Sequence, residues 1–424
     1  MTLALGIDVG TSGVRTAVLD GTDPISMARV GHATAATEDI DANNWWSTVE
    51  ECLLSQIAAL VEIGRDPKEI EAIAVDGTSG SMVMTDPSIA PVSPALMYNS
   101  KGFDEEAERI AAYAPQAHIT RGSNSALARA MRLVALSSET PAYLLHQADF
   151  IAAKLIGQGG FSDHNNSLKT GFDPQLEHWP SWIENVIEMN LLPQVQAPGA
   201  TLQPISAVMA NKFGFAPTTL VHAGTTDSIA AFLASAPIKE GIAVTSLGST
   251  LAIKLLSSKR IDDPSVGLYS HKLGDLWLVG GASNTGGAVL KSFFSDKELI
   301  DLSAQIDVSA PQNLGYYPLL EPGERFPIND PSLTPKMDPR PADDAKFLQA
   351  LFEGMASIEA DCYRSIVNRG GSKPFTIITA GGGAKNATWS HIRAQALGLP
   401  PENAKHSEAA VGAARLTMVC RDPF

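Results

Sequence analysis

The sequence predicts an α/β protein built of two related lobes. Strand-like apolar runs alternate with segments of helical periodicity along the whole chain. Two well-separated runs read as strand, turn, strand, and both turns are glycine followed by hydroxyl residues: Gly10-Thr11-Ser12 and Gly248-Ser249-Thr250. The 424 residues suffice for two domains with full cores, since domains usually span about 100–200 residues. The repeated turn chemistry suggests two facing lobes with a boundary near residue 222, giving domains 1–222 and 223–424.

Taken in order, LALGIDVGTSGVRTAVLD places two β-branched-rich runs around a small-residue turn, the pattern of a β-hairpin. Residues 43–63 carry Trp45, Val49, Leu53, Ile57 and Leu60 three or four apart, as in an amphipathic helix. IEAIAVDGTSGSMVMTD is again strand, glycine turn, strand. Helical spacing recurs over 103–113 and 125–136, and over 141–156, which opens on a proline. Gly157 to Trp179 has the composition of loops. TLVHAGTTDSIAAFLASA then begins the second lobe as strand and helix, and GIAVTSLGSTLAIKL is the second hairpin. The proline-rich stretch Ser309 to Asp344 reads as an ordered excursion, followed by a helix over 345–369. FTIITAGGGAKNATWSHIRAQAL is strand, glycine turn, helix. SEAAVGAARLTMVC is an alanine-rich helix able to pack back on either lobe.

Composition excludes several classes. At 44% hydrophobic and 18% charged residues the chain is globular. Its net charge is −15 and it has no long basic run, which argues against nucleic acid and anionic membranes as partners. Positive potential for an anionic ligand must then come from backbone N–H groups at glycine turns and helix N-termini. The three cysteines, Cys52, Cys362 and Cys420, lack CxxC spacing, which fits a reducing compartment and gives no zinc site or disulfide framework. No run reaches the roughly 18 apolar residues of a membrane helix, and the first residues lack the pattern of a secretory leader. The expected location is the cytoplasm, or an organelle stroma for a chain that has lost a transit peptide. Composition does not separate a monomer from a homodimer.

Chemistry-bearing residues sit at the turns. Asp is depleted in strands, yet Asp8 ends an apolar strand beside Gly10-Thr11-Ser12. A carboxylate there can hold hydrated magnesium while turn amides and hydroxyls face phosphates, or it can simply satisfy the turn's own amides. Asp227 opens an apolar helix in GTTDSIAAFLAS, where it can serve as a general base or as a helix cap. GGASNTGGAVL brings Gly286-Gly287 to a helix start, either as a phosphate-facing turn or as a tight packing turn. In AGGGAKNATW, Gly381, Gly382 and Gly383 permit close approach to a flat ring, Asn386 can hydrogen-bond, and Trp389 can stack on a base or fill the core. There is no GxxxxGK[ST], no GxGxxG after a strand and no GxSxG elbow. The nine histidines form no metal pattern, and His164 and His391 read as structural or surface residues.

These motifs in this order resemble the FGGY carbohydrate kinases of the actin, Hsp70 and hexokinase superfamily, over essentially the whole chain. The match is most similar to the short cyanobacterial and plastid branch labelled xylulose-kinase-like and regarded as D-ribulose kinases. The resemblance implies two actin/Hsp70/hexokinase-like (ribonuclease H-like) lobes about a central cleft, with Mg2+ and ATP as cofactors. It makes Asp8 the magnesium, phosphate and sugar residue, Thr11 the phosphate-facing hydroxyl beside Gly10 and Ser12, and Asp227 the catalytic base. Gly248, Ser249 and Thr250 become the second phosphate turn, with Gly286 and Gly287 beside the phosphates. Gly382, Gly383, Asn386 and Trp389 fall in the adenosine pocket, with Trp389 against the adenine, and Ser79 contacts the sugar.

Two departures bear on the sugar. Typical bacterial xylulose kinases carry a Gln-Met-His-Gly type segment where this chain has Gly77-Thr78-Ser79-Gly80. They carry Trp-x-Asp-x-Arg where it has Tyr98-Asn99-Ser100-Lys101-Gly102. The phosphoryl machinery is kept and the sugar pocket changed. The expectation is an ATP-dependent kinase for the terminal hydroxyl of a ketopentose, D-ribulose first, with D-xylulose or a polyol as the alternative. A non-enzymatic nucleotide switch of the same superfold is the alternative of another class.

Overall fold

The computed structural model describes residues 3–33 and 41–419. Contacts divide the chain into two compact units: residues up to Ala234 together with those from Glu408 onward, and Ser235–Ser407. The first unit therefore runs past the boundary expected at residue 222. It takes in the strand–helix run expected in the second lobe, as well as the terminal helix.

The first unit opens on a meander of β1 (Leu3–Gly10), β2 (Gly13–Asp20) and β3 (Asp23–Gly31), then α1 (Ala42–Glu62) and β4 (Ile70–Gly77). Next come β5 (Met82–Thr85), α2 (Asp104–Ala111), α3 (Ala126–Leu136), β6 (Tyr143–His146), α4 (Gln147–Ile156), β7 (Phe161–Asp163), α5 (His164–Thr170) and β8 (Gln194–Gln196). The run β9 (Thr201–Pro204), α6 (Ala207–Phe213), β10 (Leu220–His222), β11 (Thr225–Thr226) and α7 (Asp227–Ser235) follows. The main sheet has the order β3-β2-β1-β4-β10-β9, with β11 also paired to β4. β1, β10 and β11 all run parallel to β4.

Two stretches differ from expectation. Tyr143–His146 is a strand, because it pairs antiparallel with β5, and the helix begins only at Gln147. Within the stretch read as loop, β7 forms and pairs with β8 beyond it, and Asp163 caps α5 by accepting from the amides of Asn165 and Asn166.

The second unit carries β12 (Ile242–Leu247), β13 (Leu251–Ser257), β14 (Tyr269–Leu273), β15 (Leu276–Ser283), α8 (Gly287–Phe293) and α9 (Asp296–Ser303). The proline-rich excursion leads to α10 (Asp344–Asn368), β16 (Thr376–Ala380), α11 (Ala387–Leu397) and β17 (Glu402–Asn403). Its sheet order is β14-β15-β13-β12-β16-β17. Removing the edge strand β14 leaves an antiparallel meander followed by parallel strands, the pattern of β3-β2-β1-β4-β10. The two units thus repeat one topology, in line with the similarity of their hairpin turns.

The last helix, α12 (Ala409–Val419), belongs to the first unit and packs on β1, β2 and β4. Alternation along β1 explains how. Leu3, Leu5, Ile7 and Val9 join a core that includes Trp45, Val49 and Leu53 of α1, whereas Ala4 packs with Ala410 and Ala414 of α12. A Cβ on Gly6 would lie 1.9 Å from the Ala410 carbonyl oxygen, and one on Gly412 would lie 1.7 Å from that of Ala230. Only glycine at both positions lets the helix seat between β1 and α7. This small-residue face leaves Asp8, two residues beyond Gly6, at the carboxyl end of the strand.

Candidate active site

Asp8 lies one strand over from a second carboxylate. Its Cα partner in the parallel β1–β4 pair is Asp76, and on the far side of β4 Asp76 pairs with Thr225 of β11. Thr226 pairs with Gly77, and the next residue, Asp227, begins α7. Three carboxylates thus gather at the carboxyl ends of parallel strands, where open α/β sheets place their ligands.

Asp8 is 5% exposed and Asp76 fully buried. Arg15, its strand-mate on β2, reaches Asp8 Oδ2 at 3.3 Å and Glu408 at 3.5 Å. Burial raises the Asp8 carboxyl above its usual range, and Arg15 draws it part of the way back. Asp76 is pushed well up by burial and by the charges of Asp8 and Asp227. Among the described residues no N–H or hydroxyl donates to either oxygen of Asp76, while the Asp8 carboxyl stands within hydrogen-bonding reach. Asp227 is half-buried, and its Oδ1 accepts from the Ser228 amide at 2.6 Å.

Polar side chains surround this trio. Gln147, at the start of α4, accepts at Oε1 from the Thr78 amide (2.9 Å) and from the Thr78 hydroxyl (2.7 Å), and its Nε2 has no partner among the described residues. Asn165 donates to Thr225 Oγ1 at 3.0 Å and leaves Oδ1 unmatched. Ser79 Oγ and Thr226 Oγ1 are also buried without a partner among the described residues. Buried unmatched polar atoms are rare in folded proteins, so such a concentration next to three carboxylates makes this a candidate binding site.

Arg129 of α3 supports the loop after β4. It is 4% exposed and donates to the carbonyls of Gly80, Tyr98 and Asn124, each at 3.0 Å. Burial lowers it to about 10. Ser81 Oγ also receives the Tyr98 amide at 3.0 Å. The two segments in which the sequence departs from typical xylulose kinases, Gly77–Gly80 and Tyr98–Gly102, are therefore fastened to each other.

In the first hairpin, Thr11 and Ser12 are the exposed turn residues between paired Gly10 and Gly13. His32 steadies the turn by hydrogen bonds to the Gly10 carbonyl and to Thr48 Oγ1, both 3.0 Å.

The second unit brings three of its glycine motifs together. Gly248, Ser249 and Thr250 form the exposed turn between β12 and β13. A Cβ on Gly286 would lie 2.8 Å from Ser249 O, one on Gly287 2.7 Å from Gly248 O, and one on Gly381 2.6 Å from Leu247 O. Gly287 and Ala288 donate their amides to Gly248 O and Ser249 O, at 2.9 and 3.0 Å. The amide of Gly287 is thus spent on the neighbouring turn, and Gly286 and Gly287 act by letting two backbones interlock.

Gly382 and Gly383 begin a short 3-10 turn that leads into α11. Asn386 caps α11, accepting the Trp389 amide at 2.9 Å and donating to Ser303 Oγ at 2.8 Å. Trp389 corrects the expectation of an adenine stack. It is 3% exposed, one ring face lies on Phe352 (centroids 5.1 Å apart, planes 9° apart), and a Cβ on Gly383 would meet its ring at 2.7 Å. The ring is a core residue behind the glycine turn.

Asp76, Gln147, Asn165, Thr226 and Arg129 were not singled out in the sequence. A signal for Asp76 was present: Ile7–Gly13 reads IDVGTSG and Val75–Gly80 reads VDGTSG, an echo of the same strand-end carboxylate and turn.

Two α/β units of one topology, the first ending in carboxylates and the second in converging glycine turns, define the actin–hexokinase class of folds. Residues 3–234 match the N-terminal domain, and residues 243–420 the C-terminal domain, of the FGGY family of carbohydrate kinases. The chain belongs to that family, and with it to the ATP:sugar phosphotransferases. It is 22% identical to the xylulose kinase of Escherichia coli strain K12, covering 99% of this chain and 90% of that protein. It is 24% identical to the xylulose kinase of Streptomyces coelicolor, covering 97% and 86%. Among solved structures it resembles a xylulose kinase from Rhodospirillum rubrum (TM-score 0.84, 19% identity, 99% and 90% covered). It also resembles the glycerol kinase of Plasmodium falciparum with ADP (TM-score 0.82, 15% identity, 99% and 89% covered). Among the described residues no helix is long and apolar enough to cross a membrane.

Proposed function

We propose that the chain phosphorylates the terminal hydroxyl of a ketopentose with Mg-ATP, and that D-ribulose, converted to D-ribulose 5-phosphate, is its substrate. The observation that carries this reading is the set of buried, unmatched polar atoms on Asp76, Ser79, Gln147, Asn165 and Thr226 around the strand-end carboxylates. A polyhydroxylated substrate offers both donors and acceptors to such a set.

Asp227 accepts the proton of the attacking hydroxyl. Its place at a strand–helix junction beside Asp8 and Asp76 supports that role, because a general base must reach the proton it removes. Asp8 positions the sugar, and Thr11 and Ser12 face the phosphates from an exposed turn. In the second unit Gly248, Ser249 and Thr250 hold the nucleotide's phosphates, and Gly382 and Gly383 border its adenosine. Most of the catalysis in phosphoryl transfer is positioning and electrostatics, which suits an acidic chain whose turns offer backbone N–H groups.

The donor set fits magnesium. One carboxylate, Asp8, beside a hydroxyl turn is what a protein supplies when water and phosphate oxygens fill the ion's other positions. Bound with the nucleotide, magnesium supplies charge neutralisation at the phosphates.

D-Ribulose and D-xylulose differ only in configuration at C3, so the choice rests on side chains touching the middle of the sugar. Support for D-ribulose is the replacement of the bacterial xylulose-kinase segments by Gly77–Gly80 and Tyr98–Gly102, joined through Arg129 and Ser81. The test is a coupled ADP-release assay across D-ribulose, D-xylulose, ribitol and glycerol. Saturation by D-ribulose at a kcat/KM at least about tenfold above the others is expected. A preference for D-xylulose would reverse the sugar assignment, and no turnover with any of them would remove the kinase reading.

A further inference from the structure

The proline-rich excursion between α9 and α10 contains a carboxylate that the reaction does not use. Glu324 is 2% exposed and accepts four hydrogen bonds. Oε1 takes two backbone amides, Asn284 at 2.7 Å and Arg325 at 2.8 Å. Oε2 takes two hydroxyls, Ser283 at 2.6 Å and Tyr317 at 2.9 Å. Burial and the Glu324 charge push the Tyr317 phenol upward, so it stays a donor. The residues flanking Glu324 close the grip: Asn284 Nδ2 donates to Gly323 O at 2.9 Å, and Arg325 Nε donates to Asn284 Oδ1 at 2.6 Å.

What is gripped is the end of β15, and β15 leads straight to the glycine turns. Ser283 is the strand partner of Leu251, the first residue after Gly248-Ser249-Thr250. Ser283 Oγ accepts the Thr285 amide at 3.1 Å, and the Thr285 carbonyl accepts the Leu251 amide at 2.8 Å. Gly286 then lies against Ser249 and Thr250, and the amides of Gly287 and Ala288 bind the carbonyls of Gly248 and Ser249. A continuous chain of hydrogen bonds and close contacts, all inside the second unit, thus runs from Glu324 to the exposed turn.

We infer that Glu324 is a positioning residue for nucleotide binding, clasping Ser283 and Asn284 so that the Gly248–Thr250 turn is held in the shape that receives phosphates. The assignment of that turn to phosphates rests on the kinase reading above. The clasp itself rests only on the geometry around Glu324. A buried carboxylate with four donors has no freedom to move, and rigid support of this kind is what a phosphate-binding turn requires.

The two oxygens make different demands, and this gives the test. In E324Q the amide oxygen keeps both backbone N–H donors, and the new NH2 group faces two hydroxyls that can turn to accept. In E324A both amides and both hydroxyls lose their partner. Expected for E324A is a Kd for Mg-ADP and a KM for ATP each raised about tenfold or more, with the KM for sugar unchanged. E324Q should stay within about threefold of wild type for all three. A merely structural residue would lower the active fraction and the melting temperature without shifting KM for ATP alone. Hydrogen exchange without nucleotide tests the clasp directly: amide protection at Leu251, Gly287 and Ala288 should fall about tenfold in E324A and return in E324Q. Wild-type affinity and protection in E324A, or an E324Q as weak as E324A, would overturn the inference. If wild-type protein bound no Mg-ADP, the kinase reading would fall, and the exchange result would still decide whether Glu324 holds the turn.

Discussion

Asp8 and Asp76 are Cα partners on adjacent parallel strands, and among the described residues no N–H or hydroxyl donates to Asp76. Two carboxylates side by side in a buried setting repel, and burial alone disfavours either charge. The fold brings this repulsion about by pairing β1 with β4 and placing β11 on β4's far side, so that Asp227 also acts on Asp76. An arrangement with that cost is typical of functional sites and uncommon in structural ones. Arg15 is the cation set against it.

Asp227→Asn tests the division of labour among these carboxylates. Asparagine keeps the shape and can still accept the Ser228 amide, but it cannot take up a proton. Sugar phosphorylation should fall about 10²–10⁴-fold, the usual contribution of a general base. Mg-ADP affinity, read by calorimetry, should remain that of wild type. Turnover at the wild-type rate would remove Asp227 as the base.

Ser79→Ala and Gln147→Glu address the sugar. Ser79 Oγ is buried and unmatched, so its loss costs the protein no internal hydrogen bond. Gln147→Glu keeps the acceptor used by Thr78 and replaces the unmatched NH2 donor with a second acceptor. One lost hydrogen bond is worth about 1–1.5 kcal/mol, or about tenfold in affinity. We expect the KM for the sugar to rise by about that factor in Ser79→Ala and by more in Gln147→Glu, which adds a carboxyl to the buried acidic cluster, and the KM for ATP to stay put. Equal rises in both KM values would show that these residues support the unit as a whole.

Much of this was legible in the sequence because it is local. A strand-end Asp next to glycine and hydroxyl residues announces Asp8, glycine followed by hydroxyl residues announces the Gly248–Thr250 turn, and Asp227 shows its helix start. What stayed hidden depends on contacts distant in sequence. Tyr143–His146 becomes a strand only because β5, some sixty residues earlier, is there to pair with it. Trp389 has the spacing and chemistry of a base-stacking residue, and its ring is taken by Phe352 from another helix. Gln147 and Asn165 carry no motif of their own. They matter because α4 and α5 are packed beside Thr78 and Thr225.

His146 predicts a pH dependence of stability. It is 1% exposed, with Nε2 bonded to Thr170 Oγ1 at 2.9 Å, and burial, aided by the charge of Arg129, lowers it to about 3. The folded chain keeps this ring neutral, whereas the unfolded chain protonates it near 6.5. Acid therefore favours unfolding once the pH drops below about 6.5, and the loss continues toward 3. Between pH 6.5 and 5 this amounts to about 2 kcal/mol. A His146→Gln variant, which can still bond Thr170, should lack that part of the acid destabilisation. Urea unfolding of both proteins at the two pH values measures it, and parallel losses would exclude His146 as the source.

The pair Glu359–Arg393 holds the second unit's helices to its sheet, and its removal should be costly in a particular way. Both side chains are fully buried. Arg393 meets Glu359 with two parallel hydrogen bonds of 2.6 and 2.7 Å and Thr379 Oγ1 with a third of 2.9 Å. Thr245 Oγ1 donates to the same carboxylate at 2.6 Å, so α10, α11, β12 and β16 meet at one charge pair. Removing one partner leaves a charge in the core with nothing to compensate it. Arg393→Met should therefore lower stability by about 3–5 kcal/mol, while the double variant with Glu359→Met, which buries two apolar chains instead, should recover most of that loss. A urea midpoint for the double variant as low as for the single one would mean that the hydrogen bonds to Thr245 and Thr379, and not the charge pair, hold these elements together.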